Sequence, residues 1–203
     1  MRVLVTGHNG YIGTVLVPML LERDHEVVGL DTDYFAACLF TGALPPIEQI
    51  QKDIRDLTAE DVQGVDAVIH LAGLPNDPLG DYKPNLTEEI NEQAAVHLAR
   101  LAKGAGAKRF LFASSCSNYG AGGLDFLDEQ ADFNPVTPYG VSKVQVEAAL
   151  TGLADADFSP TYLRASTAYG LSPLIRFDLV INNLTAWAFT EGLVSLTSDG
   201  TPW

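Results

Sequence analysis

The sequence predicts an α/β fold, in which a parallel, doubly wound sheet carries helices on both faces. Three observations support this. Apolar, strand-like runs alternate with helical patterns along the chain, a glycine-rich turn joins the first run to the first helical pattern, and two of the runs end in polar side chains. Alternating strands and helices imply right-handed crossovers and a parallel sheet, and ligands bind such sheets at the carboxyl ends of the strands.

The predicted elements follow from the periodicity of apolar residues. Strands are expected at residues 2–6, 26–31, 67–72, 109–113, 161–165 and 194–197. Helices are expected at residues 11–23, 87–104, 138–153 and 178–192. Pro18 falls within the first predicted helix and should kink it or be accommodated near its start.

Composition and charge exclude several classes of partner. The 203 residues fit one domain, or one domain and part of a second. A balance of 12 basic against 26 acidic residues gives a net charge of −14, which disfavours nucleic acid and anionic membranes. We find no membrane-spanning run and no leader, so a cytoplasmic protein is expected. The two cysteines have no metal-binding spacing, and no metal is predicted.

The glycine-rich turn predicts a dinucleotide site. Gly7, Gly10 and Gly13 follow a buried strand and precede a helix, which is the geometry that seats a pyrophosphate on a helix N-terminus. The alternative is an ordinary tight turn. Asp31 favours the ligand, because it ends the second strand 18 residues after Gly13, where a carboxylate binds the ribose hydroxyls of adenosine. An acid there repels the 2′-phosphate of NADP, so the predicted cofactor is NAD.

A second group of residues indicates proton-transfer chemistry. Tyr139 and Lys143 are four residues apart and share one face of the predicted helix 138–153. A nearby ammonium favours the phenolate of a tyrosine, whose pKa is otherwise near 10. The predicted strand 109–113 is followed by two hydroxyl residues, of which Ser115 is the second. A serine at this end of the sheet can hydrogen-bond a reacting oxygen. The alternative for Tyr139 and Lys143 is an ordinary surface pair.

These motifs occur in an order that closely resembles the extended short-chain dehydrogenase/reductases, in particular the NAD-dependent epimerase/dehydratase group that acts on nucleotide sugars. The motifs are Thr6-Gly-x-x-Gly-x-x-Gly13, Asp31, Asp53-Ile54-Arg55-Asp56, His70-Leu-Ala-Gly73, Asn91, Ser114-Ser115 with Tyr119-Gly120, and Tyr139-x-x-x-Lys143. The resemblance implies a Rossmann domain at residues 1–170. It also implies that residues 171–203 begin a smaller nucleotide-sugar-binding region, truncated here relative to the family.

The resemblance implies roles at matching positions. Tyr139 would be the acid/base, Ser115 would bind the reacting oxygen, and Lys143 would bind the nicotinamide ribose and lower the pKa of Tyr139. Asn183 would contact the phosphates of the sugar nucleotide. The cofactor would be held by Gly7, Gly10, Tyr11, Ile12, Gly13, Asp31, Asp53, Ile54, Leu71, Ala72, Gly73 and Lys143.

Several other polar residues are better interpreted as structural. His70 follows a buried strand and is expected to be a hydrogen-bonded structural histidine. Cys116 is expected to be a small buried residue, since no histidine partner is evident. The acidic residues Asp125, Asp128, Glu129 and Asp132 are expected in a solvated loop. The role of Arg164 stays open between structure and substrate.

The functional hypothesis is an NAD-dependent nucleotide-sugar epimerase of the 4-epimerase type, forming a homodimer. Dehydration is disfavoured, because Cys116 and Ser117 stand where the family's 4,6-dehydratases carry an Asp-Glu pair. One alternative is an NAD(P)H-dependent keto-sugar reductase with the same catalytic residues. Another is a non-catalytic NAD-binding fragment, since the chain has no counterpart of the family's downstream arginine, which clamps the nucleotide diphosphate.

Overall fold

The computed structural model describes residues 1–40, 44–75, 82–120 and 126–196. Within these residues, six parallel strands form one sheet in the order β3-β2-β1-β4-β5-β6. This is the strand order of a dinucleotide-binding Rossmann fold. The strands are β1 (Arg2–Thr6), β2 (Glu26–Asp31), β3 (Glu48–Gln51), β4 (Ala67–His70), β5 (Arg109–Ser115) and β6 (Ser159–Ala165).

Helices connect the strands and cover the sheet. The helices are α1 (Gly13–Leu21), α2 (Pro84–Thr87), α3 (Ala94–Gly104), α4 (Pro138–Leu153) and α5 (Val180–Glu191). A π-helical segment, Glu88–Gln93, joins α2 to α3. Pro18 lies at the sixth position of α1, inside the helix and past its first turn.

The core has two parts, one on each face of the sheet, because successive strand residues point to opposite faces. On β1, Val3 and Val5 pack in a cluster with Val17 of α1. Leu4 of the same strand packs on the other face with residues of α3 and α4, including Leu98 and Leu150. Burial on both faces explains why β1 reads as a continuous apolar run.

The predicted elements are largely confirmed, and the differences have local causes. β3 was not predicted, because only Ile50 of its four residues is even partly buried and the strand lies at the edge of the sheet. The strand expected at 67–72 ends at His70, and the helix expected from residue 87 begins at Pro84. The strand expected at 194–197 is wrong for residues 194–196, which form no strand; Thr197 lies outside the described residues.

The strand order fixes where a ligand can bind. β1 pairs with β2 on one side and with β4 on the other. From β1 to β3 the successive strands are added toward one side of the sheet, and from β4 to β6 they are added toward the other side, so the strand order reverses between β1 and β4. The crevice beyond the carboxyl ends of the strands at such a reversal is the general ligand site of these sheets. The turns that follow β1, β2, β4 and β5 meet there.

Candidate dinucleotide and catalytic site

The glycine-rich turn links β1 to β2 and α1 through its backbone. Gly7 adopts a φ of +71°, which favours glycine. Its amide donates to the carbonyl of Leu30 at 2.8 Å, and the amide of Gly10 donates to the carbonyl of Gly7 at 3.0 Å. α1 begins at Gly13, so the positive end of the helix dipole lies at this turn.

The turn has no space for side chains at two of its glycines. A Cβ at Gly13 would lie 2.4 Å from the carbonyl oxygen of Gly7, and a Cβ at Gly7 would lie 2.8 Å from the amide nitrogen of Ala72. The turn therefore packs against the start of its own helix and against the segment after β4. This close-packed backbone cradle at a helix N-terminus fits the pyrophosphate of NAD.

Asp31 lies at the end of β2 beside this turn. Its carboxylate accepts hydrogen bonds from the backbone amides of Asn9 and Asp33, each at 3.1 Å. The side-chain amide of Asn9 also donates to Asp33 at 2.6 Å, and Asp33 has a φ of +59°. These bonds hold the Asp31 carboxylate next to the glycine-rich turn, where the predicted contact with the adenosine ribose requires it.

Asp53 and Ile54 follow β3 but face different surroundings. Asp53 caps a short 3₁₀ turn and accepts hydrogen bonds from the backbone and guanidinium of Arg55. The Arg55 bonds hold the pKa of Asp53 below its ordinary value. The Ile54 side chain is buried in the core, so its contact with an adenine would have to use its backbone.

The predicted nicotinamide-side segment, Leu71 to Gly73, is held from two directions. The amide of Ala72 donates to the Thr6 hydroxyl at 3.3 Å. Asn91, in the π-helical segment, accepts from the amide of Leu74 at 2.7 Å and donates to its carbonyl at 2.9 Å. Sequence reasoning noted Asn91 as part of a motif but gave it no role. The structure shows that it clamps this segment.

The catalytic candidates lie at the carboxyl end of β5 and on the first turns of α4. The hydroxyl of Ser115 accepts from the amide of Ser117 and contacts its hydroxyl, both at 3.1 Å. A Cβ at Gly140 would lie 2.8 Å from the carbonyl oxygen of Ser117, so α4 packs tightly on the turn after β5. Tyr139, which precedes Gly140, is thereby held near this turn.

Lys143 is buried beside Tyr139. Its ammonium donates to the carbonyl of Ala113 at 2.7 Å and lies 5.4 Å from the ring centroid of Tyr139 and 4.6 Å from that of Phe112. Burial lowers the pKa of Lys143 to about 8. The structure therefore brings Tyr139 and Lys143 together on one helix face at the end of β5, as their spacing predicts.

His70 is a structural residue, as expected. Its Nδ1 forms a 2.7 Å hydrogen bond with the Thr6 hydroxyl, and its ring stacks on Phe112. Complete burial, with a smaller contribution from Lys143, lowers its pKa to about 3. The ring is therefore neutral at neutral pH and is not an acid/base candidate.

The expectation that Cys116 is buried is wrong. Its side chain is exposed, because β5 ends at Ser115 and a 3₁₀ turn, Cys116–Asn118, directs the chain away from the sheet. Asp128, Glu129 and Asp132 are exposed as expected, and Asp125 lies outside the described residues. No group of three or more His, Cys, Asp or Glu side chains suited to a metal ion occurs in the described part of the chain.

A buried ion pair that sequence reasoning missed supports the site from behind. Glu147, one turn after Lys143 on α4, is 3% exposed and binds Arg164 of β6 at 2.7 Å. Glu147 also accepts from the Ser114 hydroxyl at 2.6 Å and from the Asn118 side chain at 2.9 Å. The network joins α4, β6 and the turn after β5, and it gives Arg164 a structural role.

The two asparagines of α5 differ in their surroundings. Asn183 is half-buried, and its side chain donates to the carbonyl of Phe177 at 3.0 Å. Asn182 is buried, and one of its hydrogen bonds reaches Tyr11 of the glycine-rich turn. None of the described helices is long and apolar enough to span a membrane.

Fold and site together define a protein with a dinucleotide-binding Rossmann domain. A sequence model of the NAD-dependent epimerase/dehydratase family matches residues 3–203, and the chain belongs to that family. The cofactor of this family is NAD, which is the cofactor predicted from the glycine-rich turn and Asp31.

Relatives of known description agree with this assignment. The chain is 32% identical to a UDP-glucose 4-epimerase of Yersinia enterocolitica over 197 residues, which cover 85% of this chain and 55% of that protein. The structure is similar to MoeE5 in complex with UDP-glucose and NAD, with a TM-score of 0.82 and 32% identity over 99% of this chain and 65% of that one. It is also similar to TunA, an NAD-dependent NDP-hexosamine 5,6-dehydratase, with a TM-score of 0.85 and 25% identity over 98% and 65% of the two chains. The chain spans about half the length of the curated relatives it matches.

Proposed function

We propose that the chain is the NAD-binding and catalytic part of a nucleotide-sugar epimerase of the 4-epimerase type. The observation that carries the proposal is the buried Lys143 ammonium, which lies beside Tyr139 at the same edge of the sheet as the glycine-rich cradle and Asp31. The similarity to UDP-glucose 4-epimerases and to a structure holding UDP-glucose and NAD supports a UDP-sugar as the substrate.

In this proposal the chain's own residues transfer the proton. The chemistry that NAD would supply when bound is removal of hydride from the sugar carbon and its return to the opposite face, which inverts that carbon. Tyr139 takes the proton from a sugar hydroxyl and later gives it back. Ser115, whose hydroxyl is oriented by Ser117, hydrogen-bonds the same sugar oxygen. The charge of Lys143 favours the phenolate form of Tyr139 and its ammonium binds the nicotinamide ribose.

Substrate and assembly are part of the same proposal. Residues 1–170 form the NAD-binding domain, and residues 171–203 begin the region for the sugar nucleotide, with Asn183 as a phosphate contact. We infer a cytoplasmic homodimer built through the helices at 87–104 and 138–153. A 4,6-dehydratase is a less suitable description, because exposed Cys116 and half-buried Ser117 stand where the resemblance places an Asp-Glu pair.

The Tyr139→Phe variant tests the catalytic assignment. Without the phenol hydroxyl, the variant should lose about 10²- to 10⁴-fold in kcat for interconversion of UDP-glucose and UDP-galactose. NAD affinity should stay close to that of the wild type, because the ring and the position of Lys143 are kept. Tyr162→Phe is the matched control, since it removes a phenol hydroxyl that bonds Thr151 at the far end of α4. Near-normal turnover by Tyr139→Phe would refute the role of Tyr139.

Mass spectrometry of the nucleotide released by acid separates an epimerase from a reductase. An epimerase reuses its cofactor in place, so purified protein should release close to one NAD per chain. A reductase exchanges its cofactor after every turnover. An empty site that binds added NAD(P)H reversibly and reduces a keto-sugar would favour the reductase. An empty site that binds no dinucleotide would contradict both enzymes.

A further inference from the structure

The side chain of Tyr11 joins the glycine-rich turn to the segment that leads into α5. Its hydroxyl donates to the carbonyl of Gly170 at 2.7 Å and accepts from the side-chain amide of Asn182 at 3.1 Å. Tyr11 is a residue of the turn itself, whereas its two partners are 159 and 171 positions away in sequence. The hydroxyl of Tyr11 thus bonds residues outside the glycine-rich turn to which its backbone belongs.

Gly170 is held by both of its peptide groups. Its amide donates to the Oδ1 atom of Asn182 at 2.8 Å, while its carbonyl accepts from Tyr11. Its φ of +113° is a conformation that favours glycine. Asn182 lies on α5, is only 8% exposed, and also donates to the carbonyl of Arg176 at 3.0 Å. Tyr11 and Asn182 therefore fix residue 170 and the start of α5 relative to the turn.

A second set of bonds runs in parallel. The hydroxyl of buried Ser172 donates to the backbone carbonyl of Tyr11 at 2.8 Å and forms a 2.9 Å hydrogen bond with the hydroxyl of Thr14 on α1. The amide of Phe40, after β2, donates to the carbonyl of Pro173 at 2.7 Å. Segments that follow β1 and β2 are thus both tied to residues 170–173.

We propose that Tyr11, Thr14, Gly170, Ser172 and Asn182 form a latch that couples NAD occupancy of the glycine-rich turn to the order of residues 170–182. A ligand that rigidifies the turn also restrains the partners bonded to Tyr11, and such coupling is reciprocal between the two sites. α5 carries Asn183, so the latch makes Tyr11 and Asn182 positioning residues for the substrate region. Only this last consequence, for the substrate, rests on the proposed function.

Hydrogen–deuterium exchange with NAD alone as the probe tests the latch. In the wild type, saturating NAD should slow exchange in the peptide 168–176 about 5- to 150-fold, the range typical of coupling between two sites. Tyr11→Phe keeps the ring and the peptide group. In this variant the logarithm of the NAD-dependent slowing factor should be at most about half of its wild-type value when NAD is saturating. Ser172→Ala, which removes the hydroxyl bonds to Tyr11 and Thr14, should act in the same direction. Calorimetry establishes saturation for each protein.

A matched control variant, and the comparison of exchange with and without NAD, distinguish coupling from a simple change in stability. Tyr169→Phe removes an exposed phenol hydroxyl next to Gly170 and should keep the full NAD-dependent slowing. A purely structural role for Tyr11 would raise exchange equally with and without NAD and would overturn the proposal. So would wild-type exchange that NAD does not change, or loss of NAD binding in Tyr11→Phe. Because no sugar is used, failure of the epimerase reaction leaves the outcome unaffected.

Discussion

At the scale of single residues, Lys143 shows how burial changes the chemistry of a side chain. Its ammonium contacts a carbonyl and two aromatic rings, and no carboxylate in the described part of the chain forms an ion pair with it. Taking a charge out of water without an opposite charge disfavours the charged form. The pKa of Lys143 is therefore lowered to about 8, close to the pH at which the proposed proton transfer would operate.

This lowered pKa makes stability depend on pH in a defined window. The unfolded chain keeps the lysine proton up to about pH 10.5, whereas the folded protein releases it above about pH 8. The unfolded state thus binds more protons between these values, so the free energy of unfolding rises with pH there. Relative to Lys143→Arg, which stays charged, wild-type protein without NAD should gain up to about 3 kcal/mol from pH 8 to 10.5. Urea unfolding across this range measures the gain, and a constant difference would contradict the assignment.

At the scale of elements, the turn between β1 and α1 depends on its glycines for packing as well as for conformation. The close approach of Gly13 to the carbonyls of Gly7 and His8 joins the end of the turn to its beginning. The same logic applies to Gly140, which lets α4 approach the turn after β5. Both the glycine-rich turn and the turn after β5 therefore depend on a glycine at the point where a helix packs against it.

Gly13→Ala should destabilise the turn and abolish measurable NAD binding. The new Cβ would meet two backbone carbonyl groups, which cannot move aside as a flexible side chain could. We expect a loss of more than about 1 kcal/mol in the free energy of unfolding, measured in denaturant, and no heat of NAD binding by calorimetry. Gly104→Ala at the end of α3 is the matched control. Among the described residues, nothing beyond its chain neighbours and its own helix backbone lies within 4 Å of its Cβ position, and alanine there should be neutral or stabilising by up to about 1 kcal/mol.

Glu147 and Arg164 show a second connection at this scale. They tie α4 to β6, and Ser114 and Asn118 bring the turn after β5 into the same network. A buried carboxylate requires such partners, because an unpaired buried charge is costly. The ion pair therefore holds in register the three elements that carry or flank Ser115, Tyr139 and Lys143.

At the scale of the whole molecule, the parallel sheet brings the separate motifs together at the carboxyl ends of its strands. β1 contributes the glycine-rich turn, β2 contributes Asp31, β4 leads into the Leu71–Gly73 segment and β5 ends at Ser115. A chain with a net charge of −14 attracts no anion through its overall field. Binding of a dinucleotide must therefore come from local donors such as the turn amides and the α1 dipole.

NAD should stabilise the whole protein and NADP should not. At 100 times its Kd, NAD contributes about 2.7 kcal/mol, which corresponds to a rise in Tm of about 5 to 10 °C for a domain of this size. The Asp31 carboxylate is fixed by the amides of Asn9 and Asp33 and, in its proposed role, should repel the 2′-phosphate of NADP. Thermal unfolding with each nucleotide measures the difference. In Asp31→Asn the difference between the Tm shifts caused by NAD and by NADP should be smaller. Equal Tm shifts by both nucleotides in the wild type would contradict the role of Asp31.

The sequence by itself determined the elements whose local pattern is strong. β1 and β2 are buried on both faces and read as unbroken apolar runs, and α4 was predicted with the bounds that it has, Pro138–Leu153. The spacing of three glycines, the acid that ends β2, and the Tyr-x-x-x-Lys motif identified the candidate site, because local spacing determines which side chains share a turn or a helix face. Their roles in binding and catalysis remain predictions.

Only the tertiary structure decided the contacts between residues far apart in sequence. β3 has an exposed polar sequence and is a strand because it pairs with β2; the exposure of Cys116 depends on where β5 stops. Glu147 with Arg164, and Tyr11 with Asn182, are joined by hydrogen bonds across 17 and 171 positions. Such pairs leave no periodic signal, because burial and hydrogen bonding at these positions depend on how the sheet brings distant segments together.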